Sequence, residues 1–272
     1  IYWAVVYFVA RKWFGFSREW AAPLASGISI CGVAAAIATG GAIRARPSVP
    51  ILVSSLVVVF AVVEILILPF LAQTFLSSEP LVAGAWMGLA IKTDGAAVAG
   101  GGITESLILA KAASEGIRYQ PGWILGTTAT VKVFIDIFIG VWAFILGYIW
   151  TNHINPAASG DKARAAEIWH RFPKFILGFI ATFAVGLYLA LGTSFDPAKV
   201  TAAIGEANVF RVIFFILTFF SIGILSNFRK LWEEGIGKLA AVYFLSLFGF
   251  VIWVGLAISW IFFNGVKPPL AG

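Results

Sequence analysis

Apolar runs alternate along this chain with short polar turns, and two of those runs depart from the usual pattern of a lipid-facing helix. A helix needs about 20 mainly apolar residues to cross a bilayer core. By that measure spans are predicted over 51–75, 121–150, 173–193, 209–226 and 240–263, the last without a single charge. The opening run Ile1–Ala10 is too short to cross and reads as the end of a helix that starts earlier. The two unusual runs are 22–43 and 81–113, in which glycine, alanine and hydroxyl residues replace leucine and isoleucine. Small residues let backbones approach closely, and a membrane helix unwinds only where something else satisfies its polar groups.

In the first of these, Ser26-Gly27-Ile28-Ser29-Ile30-Cys31-Gly32 leads into Val33-Ala34-Ala35-Ala36-Ile37-Ala38-Thr39-Gly40-Gly41. Tight packing through small residues would account for the glycines, but it does not ask for Ser29, Cys31 and Thr39 near the middle. A broken helix accounts for both, because an inward-facing helix N-terminus offers N–H groups and partial positive charge to an anion. The second run carries Lys92-Thr93-Asp94-Gly95 and then Gly100-Gly101-Gly102, so it too is predicted to break, either crossing with an unwound centre or partly re-entering. The span 51–75 is predicted to be interrupted at Glu64 and Pro69, and a further small and polar patch, Ser221–Asn227, closes the span 209–226.

Composition agrees with this pattern. The chain has 272 residues, 60% hydrophobic and 12% charged, with a mean hydropathy of +0.95. A soluble domain is about a quarter charged, so this is an all-α polytopic membrane protein. The excess of 19 Lys and Arg over 13 Asp and Glu sits in short loops, with no basic helix or aromatic platform for nucleic acid. More of these basic residues fall on the side of Arg11, Lys12 and Arg18, which is therefore expected to be cytoplasmic. The single cysteine, Cys31, excludes an internal disulfide and a multi-cysteine metal cage.

Charges at membrane depth are expensive, about 2.5–3.5 kcal/mol each on insertion scales, and mark function unless they pair. Glu64, Lys92, Asp94, Glu105, Lys132 and Asp136 are such charges. Lys132 and Asp136 lie four apart on one helix face and can neutralise each other; Lys92 and Asp94 flank a predicted break, where a site role is favoured. Signals of soluble enzymes fail. Gly27-Ile28-Ser29-Ile30-Cys31 lacks the last glycine of a nucleophile elbow, and Gly235-Ile236-Gly237-Lys238 lacks the earlier glycine and following hydroxyl of a phosphate loop. His153 and His170 are isolated in the loop 151–171, so neither a metal site nor a nucleophile–base pair is expected, and the chain is read as neither an enzyme nor a cofactor binder.

Several motifs occur together in order. The segment Ser29 to Ala38 resembles the C-G-x-S-A-I-A signature of the YeiH-type sulfate exporter family of bacterial membrane proteins. Thr127-Thr128-Ala129-Thr130-Val131-Lys132 resembles its A-T-x-x-K element, Phe172-Pro173-Lys174-Phe175 its I-P-x-F element, and Ile222-Gly223-Ile224-Leu225-Ser226-Asn227 its I-G-L-x-T patch. Ala34 stands where that family often has serine, and Ile135 and Asp136 where it has an arginine. The resemblance implies kinship with cation/proton antiporters and bile-acid symporters, hence two inverted five-helix repeats with a broken helix in each, crossing at the midplane. On that basis residues 1–76 would end a first repeat whose N-terminal part is absent, with its broken helix at 22–43. Residues 77–272 would hold the second, with its broken helix at 209–227.

The function implied is that of a secondary transporter in a bacterial inner (plasma) membrane, exporting a small inorganic or sulfur-containing anion such as sulfate. Ser29, Cys31, Gly32, Lys132, Gly223, Ser226 and Asn227 would bind the anion, while Asp94, Asp136 and Glu64 would carry a coupling proton or sodium ion. Homo-oligomers are compatible with this reading. An ion-coupled carrier of an organic acid or sulfonate, and a structural membrane subunit that transports nothing, are the alternatives.

Overall fold

The computed structural model describes residues 1–154, 175–192, 196–225 and 236–271. Among these the chain is helical, apart from links and an isolated antiparallel bridge between Tyr119 and Leu270. In chain order the helices are α1 (Tyr2–Phe8), α2 (Arg18–Ser29), α3 (Gly32–Ala42), α4 (Ser48–Phe75), α5 (Pro80–Ala90) and α6 (Asp94–Ser114). They are followed by α7 (Trp123–Asp136), α8 (Phe138–Ile149), α9 (Phe175–Leu191), α10 (Pro197–Leu225), α11 (Ile236–Ser246) and α12 (Ile252–Phe263). Ile137 stays in the right-handed helical region, and a π-type turn at Trp150–Ile154 extends α8, so 123–154 form one long helix. A second π-type turn, Leu247–Val251, joins α11 to α12 in the same way.

Among the described residues, three helices are long and apolar enough to cross a membrane: Ser48–Phe75, Trp123–Ile154 and Ile236–Phe263. Each overlaps a predicted span. The expected interruption of 51–75 does not occur, because α4 runs unbroken through Glu64 and Pro69. Both residues are buried, and a neighbouring segment meets the Glu64 carboxylate, so neither forces the helix open. The expected span 209–226 also begins earlier than its apolar run. Asp196 Oδ1 accepts the Ala198 N–H at 3.0 Å and Pro197 takes the first helical position, which starts α10 at Pro197. These are strong helix-start signals, and α10 then continues without a break to Leu225.

The two small-residue runs do break. The first divides into α2 and α3, of 12 and 11 residues, each about half the roughly 30 Å of a bilayer core. Ile30 (φ −117°, ψ −94°) and Cys31 (φ −131°, ψ 92°) are the unwound link. The second divides into α5 and α6, with Ile91 and Thr93 in extended conformations on either side of Lys92.

These broken pairs lie at the centre of the bundle. α4 packs on α2, α3, α5 and α6, and α5 packs on α6, α7 and α12. Every residue of α5 is buried. Its Gly84 and Gly88 face α7 so closely that an added Cβ would stand 2.5 Å from the Ile124 carbonyl oxygen and 2.7 Å from that of Thr128. This is the close backbone approach that small residues four apart allow. Outside the bundle, Glu19 at the start of α2 pairs with Arg46, at 3.1 Å, and ties the entrance of α2 to the turn before α4.

Gly32 is where the first break meets its neighbours: a Cβ there would overlap Val57 Cγ1 and lie 3.2 Å from the Lys92 carbonyl oxygen. Gly32→Ala is therefore expected to lower stability by about 1–3 kcal/mol, seen as a lower thermal midpoint of the protein in detergent. Gly41→Ala, where an added Cβ meets nothing within 4 Å, leaves the midpoint unchanged or slightly raised.

Candidate functional site

The two breaks meet. The Gly32 N–H, first in α3, donates to the Lys92 carbonyl at 2.7 Å, linking one unwound link to the other. Each break leaves carbonyls at the end of one half-helix and N–H groups at the start of the next, the ends that carry partial negative and positive charge. The segment that meets 22–43 at its break is 80–114, through Lys92. Gly223 lies near the end of α10, and Ser226 and Asn227 fall outside the described residues.

Lys132, near the end of α7, lies between the two breaks. Its Nζ donates to the carbonyls of Ile30 at 3.1 Å, Ile91 at 3.3 Å and Lys92 at 3.2 Å. The residue is buried. An ammonium has three donors and no acceptor, so three carbonyls from two breaks match its capacity. Its ion-pair partner is Asp94, 3.9 Å away at the first position of α6. A carboxylate there is also where a helix N-terminus favours negative charge. Asp136, which the spacing argument places beside Lys132, stays close as well, with a carboxylate oxygen within 4.8 Å of one of Asp94.

Around this lysine the acidic groups gather. The Cys31 thiol donates to Asp94 Oδ1 at 3.1 Å. Ligand atoms of Cys31, Asp94 and Asp136 all lie within 4.8 Å of one another. Asp136 Oδ1 is buried without a hydrogen-bond partner, as are the hydroxyls of Ser29 and Thr93 beside the two breaks. A thiol and two carboxylates can ligate a metal ion, but one placed among them would share Asp94 with the Lys132 ammonium, which opposes it electrostatically. Ser26, in the same stretch as Ser29, is committed elsewhere, accepting the Trp3 indole N–H at 3.0 Å.

A second buried polar group lies on the Lys92 side. Glu64 Oε2 accepts the Lys92 backbone N–H at 3.1 Å, while Oε1 has no partner. The Lys92 side chain turns back, its Nζ donating to the Leu89 carbonyl and standing 5.4 Å from the centre of the Tyr2 ring. Tyr243 stacks on Phe60 at 4.4 Å and its hydroxyl is buried without a partner. Lys92 and Asp94, two residues apart, therefore serve opposite sides of the break. Tyr243 escapes a reading of charges because it is neutral; its one signal is a tyrosine inside the uncharged span 240–263. Glu105 has a structural task, accepting the N–H groups of Gly122, Ile124 and Leu125 at 3.0–3.1 Å and so capping α7.

Buried half-helices whose unwound ends meet around ionisable side chains define the class: a polytopic membrane protein with an internal polar site. The chain belongs to the family described as conserved hypothetical protein 698, whose pattern matches residues 2–242. It is 44% identical over 274 residues to a UPF0324 membrane protein of Nitrosomonas europaea, covering 99% of this chain and 55% of that protein. An uncharacterized protein of Archaeoglobus fulgidus is 48% identical over 55% of this chain and 91% of its own length. A UPF0324 membrane protein of Rhodopirellula baltica is 31% identical over 84% of this chain and 40% of its own length. The chain thus spans about half the length of the UPF0324 relatives it matches. No solved structure matches it.

Removing the lysine leaves three carbonyls and a carboxylate without their shared cation. Lys132→Met is expected to destabilise the fold by about 3–5 kcal/mol, the range for breaking a buried ion pair from one side, measured by thermal unfolding in detergent at low salt.

Proposed function

We propose that the protein is a secondary transporter whose solute and coupling groups meet where the two broken helices cross. The observation that carries this is the crossing itself, with Gly32 bonded to Lys92 and Lys132 shared between the breaks. Discontinuous helices crossing near the bilayer centre supply N–H groups, carbonyls and buried charge at one depth, as alternating access requires.

The solute is a small inorganic or sulfur-containing anion such as sulfate, moved across a bacterial inner membrane. Lys132 is committed to main-chain carbonyls and Asp94, so the donors offered to the anion are the unpartnered Ser29 and Thr93 hydroxyls and the first-turn N–H groups of α3 and α6. Cys31 and Gly32 position that helix start. Asp94 and Asp136 oppose an anion while both are ionised, and a proton on either lowers that repulsion. Solute and proton then bind together, which is a coupling mechanism. Glu64, beyond Lys92, is a further proton-carrying group. Gly223, Ser226 and Asn227 would complete the solute site from the end of α10. An organic acid or sulfonate meets the same donors.

The test uses the full-length protein in proteoliposomes under an imposed pH gradient, with labelled sulfate, sulfite, sulfonates and small carboxylates. Uptake of one of these is expected, falling at least tenfold in Asp94→Asn and in Ser29→Val while both variants keep a cooperative melting transition. A structural subunit instead predicts that no solute accumulates, that none raises the melting temperature, and that Ser29→Val is indistinguishable from the parent; that result overturns the proposal.

A further inference from the structure

The crossing already holds a cation, and it is covalently part of the chain. Three main-chain oxygens, of Ile30, Ile91 and Lys92, converge on the Lys132 ammonium at 3.1–3.3 Å, and a carboxylate oxygen of Asp94 stands at 3.9 Å. Carbonyls freed at broken helices, with a neighbouring carboxylate, form the kind of oxygen cage in which membrane carriers coordinate a monovalent metal ion. Here oxygens of the same kind surround a buried ammonium, so the cage is filled by a side chain.

We propose that Lys132 is a tethered substitute for a coupling metal ion, so that this protein works without sodium and leaves coupling to protons on the acidic groups beside the lysine. The proposal rests on the transporter reading for its meaning, but the cage can be probed without any solute.

The charges facing the cage support this assignment. Asp94 comes from α6, Asp136 from α7 one turn beyond Lys132, and the Cys31 thiol from the first break. Glu64 of α4 and Lys92 face the second break from the other side. With Lys132 present, its charge offsets Asp94 directly. Without it, three carbonyl oxygens and two nearby carboxylates remain and, among the described residues, Lys92 is the other buried ammonium, whose Nζ is committed to the Leu89 carbonyl. Such a concentration of oxygen and negative charge at low dielectric attracts a small cation. Deleting the ammonium should therefore create a sodium site where the parent has none.

Two measurements on the full-length protein test this. The first is thermal unfolding of purified parent, Lys132→Ala and Lys132→Ala/Asp94→Asn chains in sodium, potassium and choline chloride at equal ionic strength. The parent is expected to melt at one temperature in all three salts. Lys132→Ala is expected to melt lower in choline and to regain about 3 °C or more in sodium, as mass action requires of an ion that binds only the folded state. The double variant is expected to lose most of that gain, since it lacks the charged ligand. Should the alanine chain not be recovered folded in any salt, Lys132→Gln is read in its place, with the same sodium-specific rise expected. A parent chain stabilised by sodium over choline, or a lysine-deleted chain that melts alike in all three salts, overturns the proposal. The second measurement replaces sodium by choline in the uptake assay; unchanged uptake by the parent is expected, and sodium-dependent uptake overturns it. A protein that moves no solute but gains a sodium site on losing Lys132 would refute the transport reading and leave the cage standing.

Discussion

The bonds from the Lys132 ammonium to carbonyls of Ile30, Ile91 and Lys92 are the constraint on which the rest of the arrangement depends. Breaking a helix inside a membrane leaves main-chain groups that no water reaches, at a cost of several kcal/mol for each one left unpaired. Two breaks side by side double the problem. A single side chain with three donors answers it, because one oxygen comes from the first break and two from the second. It follows that α7 cannot be placed independently of α2 or α5. The close contacts of Gly84 and Gly88 with the α7 backbone, and the cap that Glu105 places on the start of α7, hold that helix at the height the lysine needs.

Charge is distributed around this lysine with a clear division. One face of the crossing carries Cys31, Asp94 and Asp136, close enough to share protons or a ligand. The other carries Glu64, Lys92, Tyr2 and Tyr243, where the two ionisable groups are joined through a backbone N–H, not through their charged ends. Among the described residues, the charged groups around the two breaks are two cations, Lys92 and Lys132, and three carboxylates, of which Glu64 is buried and Asp94 and Asp136 are half-buried. Such a site does not attract an anion while all its carboxylates are ionised, so in the proposed transporter the proton is as much a part of the solute site as the hydroxyls are. Unpartnered hydroxyls of Ser29 and Thr93 beside the breaks are what a solute would find on arrival.

Read without the fold, the chain already predicts the membrane class, the places of α4, α7–α8 and α11–α12, the break within 22–43 and a break beside Lys92. These depend on local composition: whether 20 residues are apolar, and whether small and polar residues interrupt them. The buried charges were legible for the same reason, since a charge in an apolar run stands out whatever surrounds it. A helix start coded by Asp196 and Pro197 was equally local, although the apolar count alone placed that span about a dozen residues later.

Which segments meet is a property of the folded bundle. Spacing places Asp136 beside Lys132, one turn away on its own helix, but it does not contain the reach of the lysine to Asp94 and to two breaks, 38 residues away and more. The first break is met by the one at Lys92, with the whole of α4 between them in the chain. Partner choice of this kind is set by which half-helix ends can satisfy one another's main-chain groups. That depends on where each helix is held by its neighbours, and no window of sequence contains it.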